Sequence, residues 1–206
     1  RFGLSLGFGD KTVKEVCEMN NVDCQTFLVV VNFMAEGFSR MDGSADDISI
    51  PALVDYLRQA HIYFLDYCLP AIRRKLIEAI DCSQDDVSFL ILKFFDGYMR
   101  EVRKQMEYEE KTVFKYVDTL IHGNAPKNYQ ISTFSKHHDQ VGERLTELKN
   151  IIIKYCPAKA NTNVLNAALF DIYACEEGLE SHCKVEDYLF VPAILKLERR
   201  MRENEK

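Results

Sequence analysis

The chain has 206 residues, enough for one to one and a half domains of ordinary size. Hydrophobic residues make up 47% and charged residues 28%, which excludes an intrinsically disordered chain; nine Gly and five Pro exclude collagen-like and linker-dominated ones. The net charge of −6 disfavours nonspecific nucleic-acid binding by this segment, and the longest apolar run, Phe27 to Val31, is too short to span a bilayer.

No basic segment leads into an apolar core, so no signal peptide is visible. The first residue is Arg1 rather than Met, and the expectation is a fragment or a processed form. Seven Cys at irregular spacings, with no Cys-x-x-Cys pair, read as mostly free thiols in a reducing compartment, hence a cytoplasmic location.

In chain order, Arg1 to Asp10 is Gly-rich and reads as loop. Thr12 to Met19 predicts a short helix, Asn20-Asn21 a turn, and Gln25 to Met34 a second helix. The small, polar and acidic stretch Gly37 to Asp47 reads as a linker. Residues 1–48 therefore form a small N-terminal helical segment, and residues 49–206 the main domain.

Ser49 with Pro51 predicts the start of a long helix over about 50–80. A second helix starts near Ser83, with Asp85 and Asp86 at the positive end of its dipole, and ends near His122-Gly123. A third covers about 132–155, where Cys156-Pro157 stops it. A fourth starts near Thr162 and runs into the charged tail, with Pro192 expected to kink or end it. Four long helices with short loops predict an all-α fold, an antiparallel up-down four-helix bundle.

Inward seams alternate steps of three and four residues. Helix one gives Val54, Leu57, His61, Phe64, Cys68 and Ile72, and helix two gives Tyr98, Val102, Gln105, Glu109, Thr112 and Tyr116. Helix three gives Phe134, His138, Val141, Leu145 and Leu148, and helix four gives Cys175, Leu179, His182, Glu186 and Leu189. Met106 is expected to point about 100° away from its seam neighbour Gln105. Buried ionisable groups are costly unless paired or metal-bound, so His61, Glu109, His138, His182 and Glu186 on inward stripes need one joint explanation.

Spacing supplies it. His61 precedes Gln105 by 44 residues, and His138 precedes His182 by 44. A shift of 77 lays His61 on His138, Gln105 on His182 and Glu109 on Glu186. This is an internal duplication of a helix-loop-helix unit, and two such units bring the six positions to one level. Imidazoles with carboxylates in a helical bundle suit iron or manganese, as a pair of ions if both carboxylates bridge. No thiolate stands at this level, which weakens a structural zinc reading.

These residues resemble the hemerythrin-like HHE cation-binding family and, within it, the repair-of-iron-centres branch. The resemblance rests on His61 in QAHIYFLDYCLPAI, Glu109 in QMEYEEKTVF, His138 in KHHDQVGERL, and His182 with Glu186 in HCKVEDYLFVP, and covers about residues 50–198. It implies a non-haem site of two iron ions, with His61, His138 and His182 as terminal ligands and Glu109 and Glu186 as bridges. The family places His where this chain has Gln105, so one ion loses an imidazole, and a single ion is the expectation if Gln105 does not ligate. The N-terminal stretch is similar to the small helical domain that precedes the bundle in repair-of-iron-centres proteins.

The resemblance implies iron–sulfur cluster repair under nitrosative or oxidative stress, with iron, oxygen or nitric oxide, and iron–sulfur proteins as partners; a homodimer is a further partner expectation. A sensor module is the alternative, with oxygen or nitric oxide at an open iron position shifting the C-terminal helix toward an effector. A third reading is a structural bundle whose metal site has degenerated at Gln105. A hydrolase or transferase is least supported, because neither a Gly-rich phosphate loop nor a strand pattern occurs.

Overall fold

The computed structural model describes residues 1–36, 48–80, 86–124, 126, 129–136, 141–157 and 160–204. Among them the regular structure is entirely helical. The elements are α1 (Val13–Met19), α2 (Cys24–Glu36), α3 (Ile50–Ile62), α4 (Leu69–Ala79), α5 (Asp86–Tyr108), α6 (Lys115–Ile121), α7 (Val141–Tyr155), α8 (Thr162–Val185) and α9 (Val191–Asn204). Three π turns, Tyr63–Cys68, Glu109–Phe114 and Glu186–Phe190, join α3 to α4, α5 to α6 and α8 to α9. A 3-10 turn covers Ile131–Lys136. The predicted linker Gly37 to Asp47 and the predicted helix start at Ser83 lie outside the described residues.

Helix starts follow the capping chemistry in the sequence. Thr12 and Glu15 form a reciprocal capping box at α1. Asp23 Oδ1 accepts the Thr26 N–H at 2.7 Å and opens α2. Ser49 Oγ accepts the Ala52 N–H at 3.4 Å at the start of α3. At the other end of α6, His122 is the C-cap, with its ring Nδ1 2.7 Å from the Asp118 carbonyl oxygen.

Pro192 does not end its helix. Pro70 and Pro192 each follow a π turn by two residues. In those turns the N–H of Leu69 donates to Phe64 O, and that of Val191 to Glu186 O, five residues back. The wider turn keeps the proline ring off the carbonyl it would strike in a regular α-helix.

Two compact units are present. The first comprises Arg1–Ala60, Glu109–Lys136 and Ser181–Lys206. Its core joins Val30 and Phe33 of α2 to Leu53 and Leu57 of α3, Phe114, Val117, Phe134 and Phe190. The Phe190 ring meets Phe114 and Phe134 edge-on at 5.8 and 6.3 Å. A buried polar latch sits here as well: Glu198 Oε1 accepts the Tyr116 hydroxyl at 2.6 Å and the Ile131 N–H at 3.0 Å. Glu198 is thus buried although it belongs to the charged tail.

The second unit comprises His61–Tyr108 and His137–Glu180. Ile72, Tyr98, Leu145 and Leu148 are buried there as the seams predict, together with Leu76, Ile91, Phe95, Ile152 and Ile172. Arg73 donates to Asp96 at 2.6 and 3.1 Å, and Lys75 to Asp171 at 2.6 Å.

Candidate metal centre

His61 stands in the last turn of α3, with buried Leu57 and Phe64 one turn to either side along the chain. Glu109 is the first residue of one π turn and Glu186 the first residue of another. The carboxylates related by the 77-residue repeat therefore occupy the same place in the same irregular element. His182 lies in α8 one turn before Glu186, its Nε2 3.4 Å from Glu186 Oε1. An i, i+4 pair on one helix face meets in this way.

One ligand-type atom from each of His61, Glu109, His182 and Glu186 lies within 4.8 Å of all the others. The four side chains are only 3, 1, 2 and 1% exposed. Two carboxylates at this burial concentrate negative charge where water cannot screen it. A cation coordinated by two imidazoles and two carboxylates satisfies all four groups at once, and this N/O donor set suits iron or manganese. Cys183, next to His182, is not one of the four; burial, then the charges of Glu186 and Glu109, push its thiol well above the ordinary cysteine range.

Of the six positions singled out in the sequence, the structure thus brings four together. His138 lies outside the described residues. Gln105 is half-buried in α5. Met106, expected to point away, is buried at 3% and takes the interior place between Val102 and Glu109. An apolar thioether enters the core at lower cost than an amide, which settles the choice between two neighbours that both fit a three-or-four spacing.

Other expectations shift in detail. Glu110, next to Glu109, is half-buried and pairs with Arg58 at 3.3 Å. Tyr116, a predicted seam residue, donates its hydroxyl to the Glu198 carboxylate. Burial, then the bond to Glu198, pushes the Tyr116 hydroxyl far up in pKa, so it remains a donor.

The fold and the donor set define a helical protein with a buried histidine–glutamate site for a cation. The model of the Hemerythrin HHE cation binding domain matches residues 52–194, and the chain belongs to that family. No protein of curated function matches it. No helix among the described residues is long and apolar enough to cross a membrane.

Proposed function

We propose that the chain is a non-haem di-iron protein. His61, His138 and His182 serve as terminal imidazole ligands and Glu109 and Glu186 as carboxylate bridges. The frame is an antiparallel up-down four-helix bundle over residues 49–206, preceded by a helical segment over 1–48. The observation that carries this reading is the convergence of His61, Glu109, His182 and Glu186 within 4.8 Å at almost complete burial. The repeat supports the pair of ions: each half of the chain contributes one carboxylate at the head of a π turn, an element that recurs at functional sites.

Iron in such a site supplies one-electron redox chemistry and affinity for small diatomic molecules such as oxygen and nitric oxide. The residues of the chain set the conditions. Buried Leu57, Phe64, Leu179 and Leu189, each about a turn from a ligand, keep bulk water away. Glu109 and Glu186 offset the metal charge. At Gln105, where the resemblance implies an imidazole, the chain offers at most a neutral amide, which weakens the hold on one ion and makes it exchangeable.

An exchangeable buried ion suits donation of iron to damaged iron–sulfur proteins in nitrosative or oxidative stress. The test is His182→Ala, assayed for iron content and for recovery of a nitric-oxide-treated iron–sulfur enzyme. Both fall together if the site performs the repair, with helix content retained by circular dichroism. Full recovery activity in an iron-free variant overturns the proposal.

A sensing role is the second reading, favoured by one observation: α8, its π turn and α9 carry the chain without a break from His182 and Glu186 to Asn204. Nitric oxide would then alter amide exchange along α9, and unchanged exchange there removes this reading.

A further inference from the structure

α5 and α7 pack against each other within the second unit, and a groove of about 690 Å³ lies between them. Val87, Leu90, Phe94 and Gly97 line it from α5, and Ile151 and Tyr155 from α7, at steps of three and four residues along each helix. Arg144 of α7, paired with Glu101 of α5 at 2.5 Å, stands in the same lining. Leu90 is 56% exposed and Tyr155 64%, so large apolar side chains stand in water along this face.

Gly97 adds a second observation. A glycine inside a helix weakens it relative to alanine. A Cβ at Gly97 would meet only the Arg100 Nη2, at an ordinary 3.8 Å, so no contact among the described residues calls for a glycine. In the lining of the groove, the missing side chain leaves room for an approach from outside the chain.

Charge decides what approaches. Lys93 of α5 and Glu147 of α7 both line the groove and both are exposed. Neither has an ion pair or hydrogen bond among the described residues. A ligand with a single charged head would match one of them and oppose the other. A second copy of the same face matches both, because in a two-fold contact Lys93 of each copy meets Glu147 of the other.

We infer that two copies of this chain join through the α5–α7 groove as a two-fold dimer. Leu90 and Tyr155 of each copy enter the other's groove beside Gly97, and Lys93 pairs with Glu147 across the contact. The apolar side chains supply the affinity, and the paired charges set the register.

The test is sedimentation equilibrium of the full chain in chelator, which removes association bridged by metal. A monomer–dimer equilibrium with a micromolar dissociation constant is expected. Leu90→Glu should weaken it about a hundredfold, since the loss occurs twice per dimer. Lys93→Glu and Glu147→Lys should each weaken it about tenfold, and the double variant should return to within about threefold of the wild type. Gly97→Ala should weaken the dimer about tenfold while raising the urea midpoint of the monomer, the opposite of what a structural glycine would do. All these positions face solvent or the groove, so helix content by circular dichroism should not change. A chain that stays monomeric at millimolar concentration overturns the inference, whether or not the groove takes up a small apolar molecule. So does a dimer that Leu90→Glu leaves intact, or a pair of charge reversals that do not rescue each other.

Discussion

Glu186→Gln separates a metal centre from a structural ion pair, because the two predict opposite signs. The substitution keeps the shape of the side chain and removes one charge. Two full negative charges no more than 4.8 Å apart repel by about 3.5 kcal/mol or more at an effective dielectric of 20. Protonation or the His182 imidazole 3.4 Å away offsets part of this in the metal-free chain. In chelator, Glu186→Gln is therefore expected to be as stable as the wild type or more so, by up to about 2 kcal/mol. With iron the order reverses. A ligand at about 100 times its dissociation constant stabilises the chain that binds it by about 2.7 kcal/mol, and the variant forfeits most of that. The assay is anaerobic urea unfolding with ferrous iron and with chelator. At a slope of about 2.5 kcal/mol per molar, iron should raise the wild-type midpoint by about 1 M and leave the variant nearly unmoved. A variant destabilised by more than about 2 kcal/mol in chelator, in a chain that iron does not stabilise, refutes the reasoning and makes Glu186 a structural group.

Three further outcomes follow from other contacts. Glu198→Ala strips the buried Tyr116 hydroxyl and Ile131 N–H of their shared acceptor and should cost about 3 kcal/mol in urea unfolding, against about 1 kcal/mol for Glu198→Gln, which keeps an acceptor oxygen. The hydrogen bond from Arg73 holds the Asp96 carboxyl below its ordinary range; the stability it adds is complete above about pH 4 and is lost as the pH falls through the lowered value. Because the pair is about a third exposed, Asp96→Asn should remove under about 1 kcal/mol of that acid sensitivity, read as unfolding free energy against pH. If the proposed site is right, Gln105→His adds an imidazole at the position that the repeat pairs with His182 and should slow iron loss to a competing chelator by about tenfold, the low end of what changes around a metal ligand usually produce.

Much of this was legible in the sequence because burial and chemistry leave the same periodic mark. His61, Glu109, His182 and Glu186 interrupt apolar seams at helical spacing, and the 77-residue shift lays Glu109 on Glu186; all four are buried and converge. Seam phase was less legible. Gln105 and Met106 both fit the count from Val102, and only the cost of burying an amide separates them. The π turns were invisible to a 3.6-residue period. The turn that begins at Glu109 admits one extra residue, so burial passes to Val113 and Phe114 rather than to Thr112. The same widening let Pro192 stay within a continuous helical run. The Tyr116–Glu198 latch left no mark, since a glutamate among LERRMRENEK reads as solvated until a distant hydroxyl meets it.

The central claim is that the buried histidine–glutamate cluster holds a pair of iron ions. The direct measurement is iron per chain by elemental analysis on protein from iron-supplemented cells, with the ultraviolet–visible spectrum of the same sample. The account predicts about two irons per chain together with charge-transfer absorption from ferric carboxylate–imidazole coordination. A folded, stable chain that carries no iron and takes up none on reconstitution contradicts it.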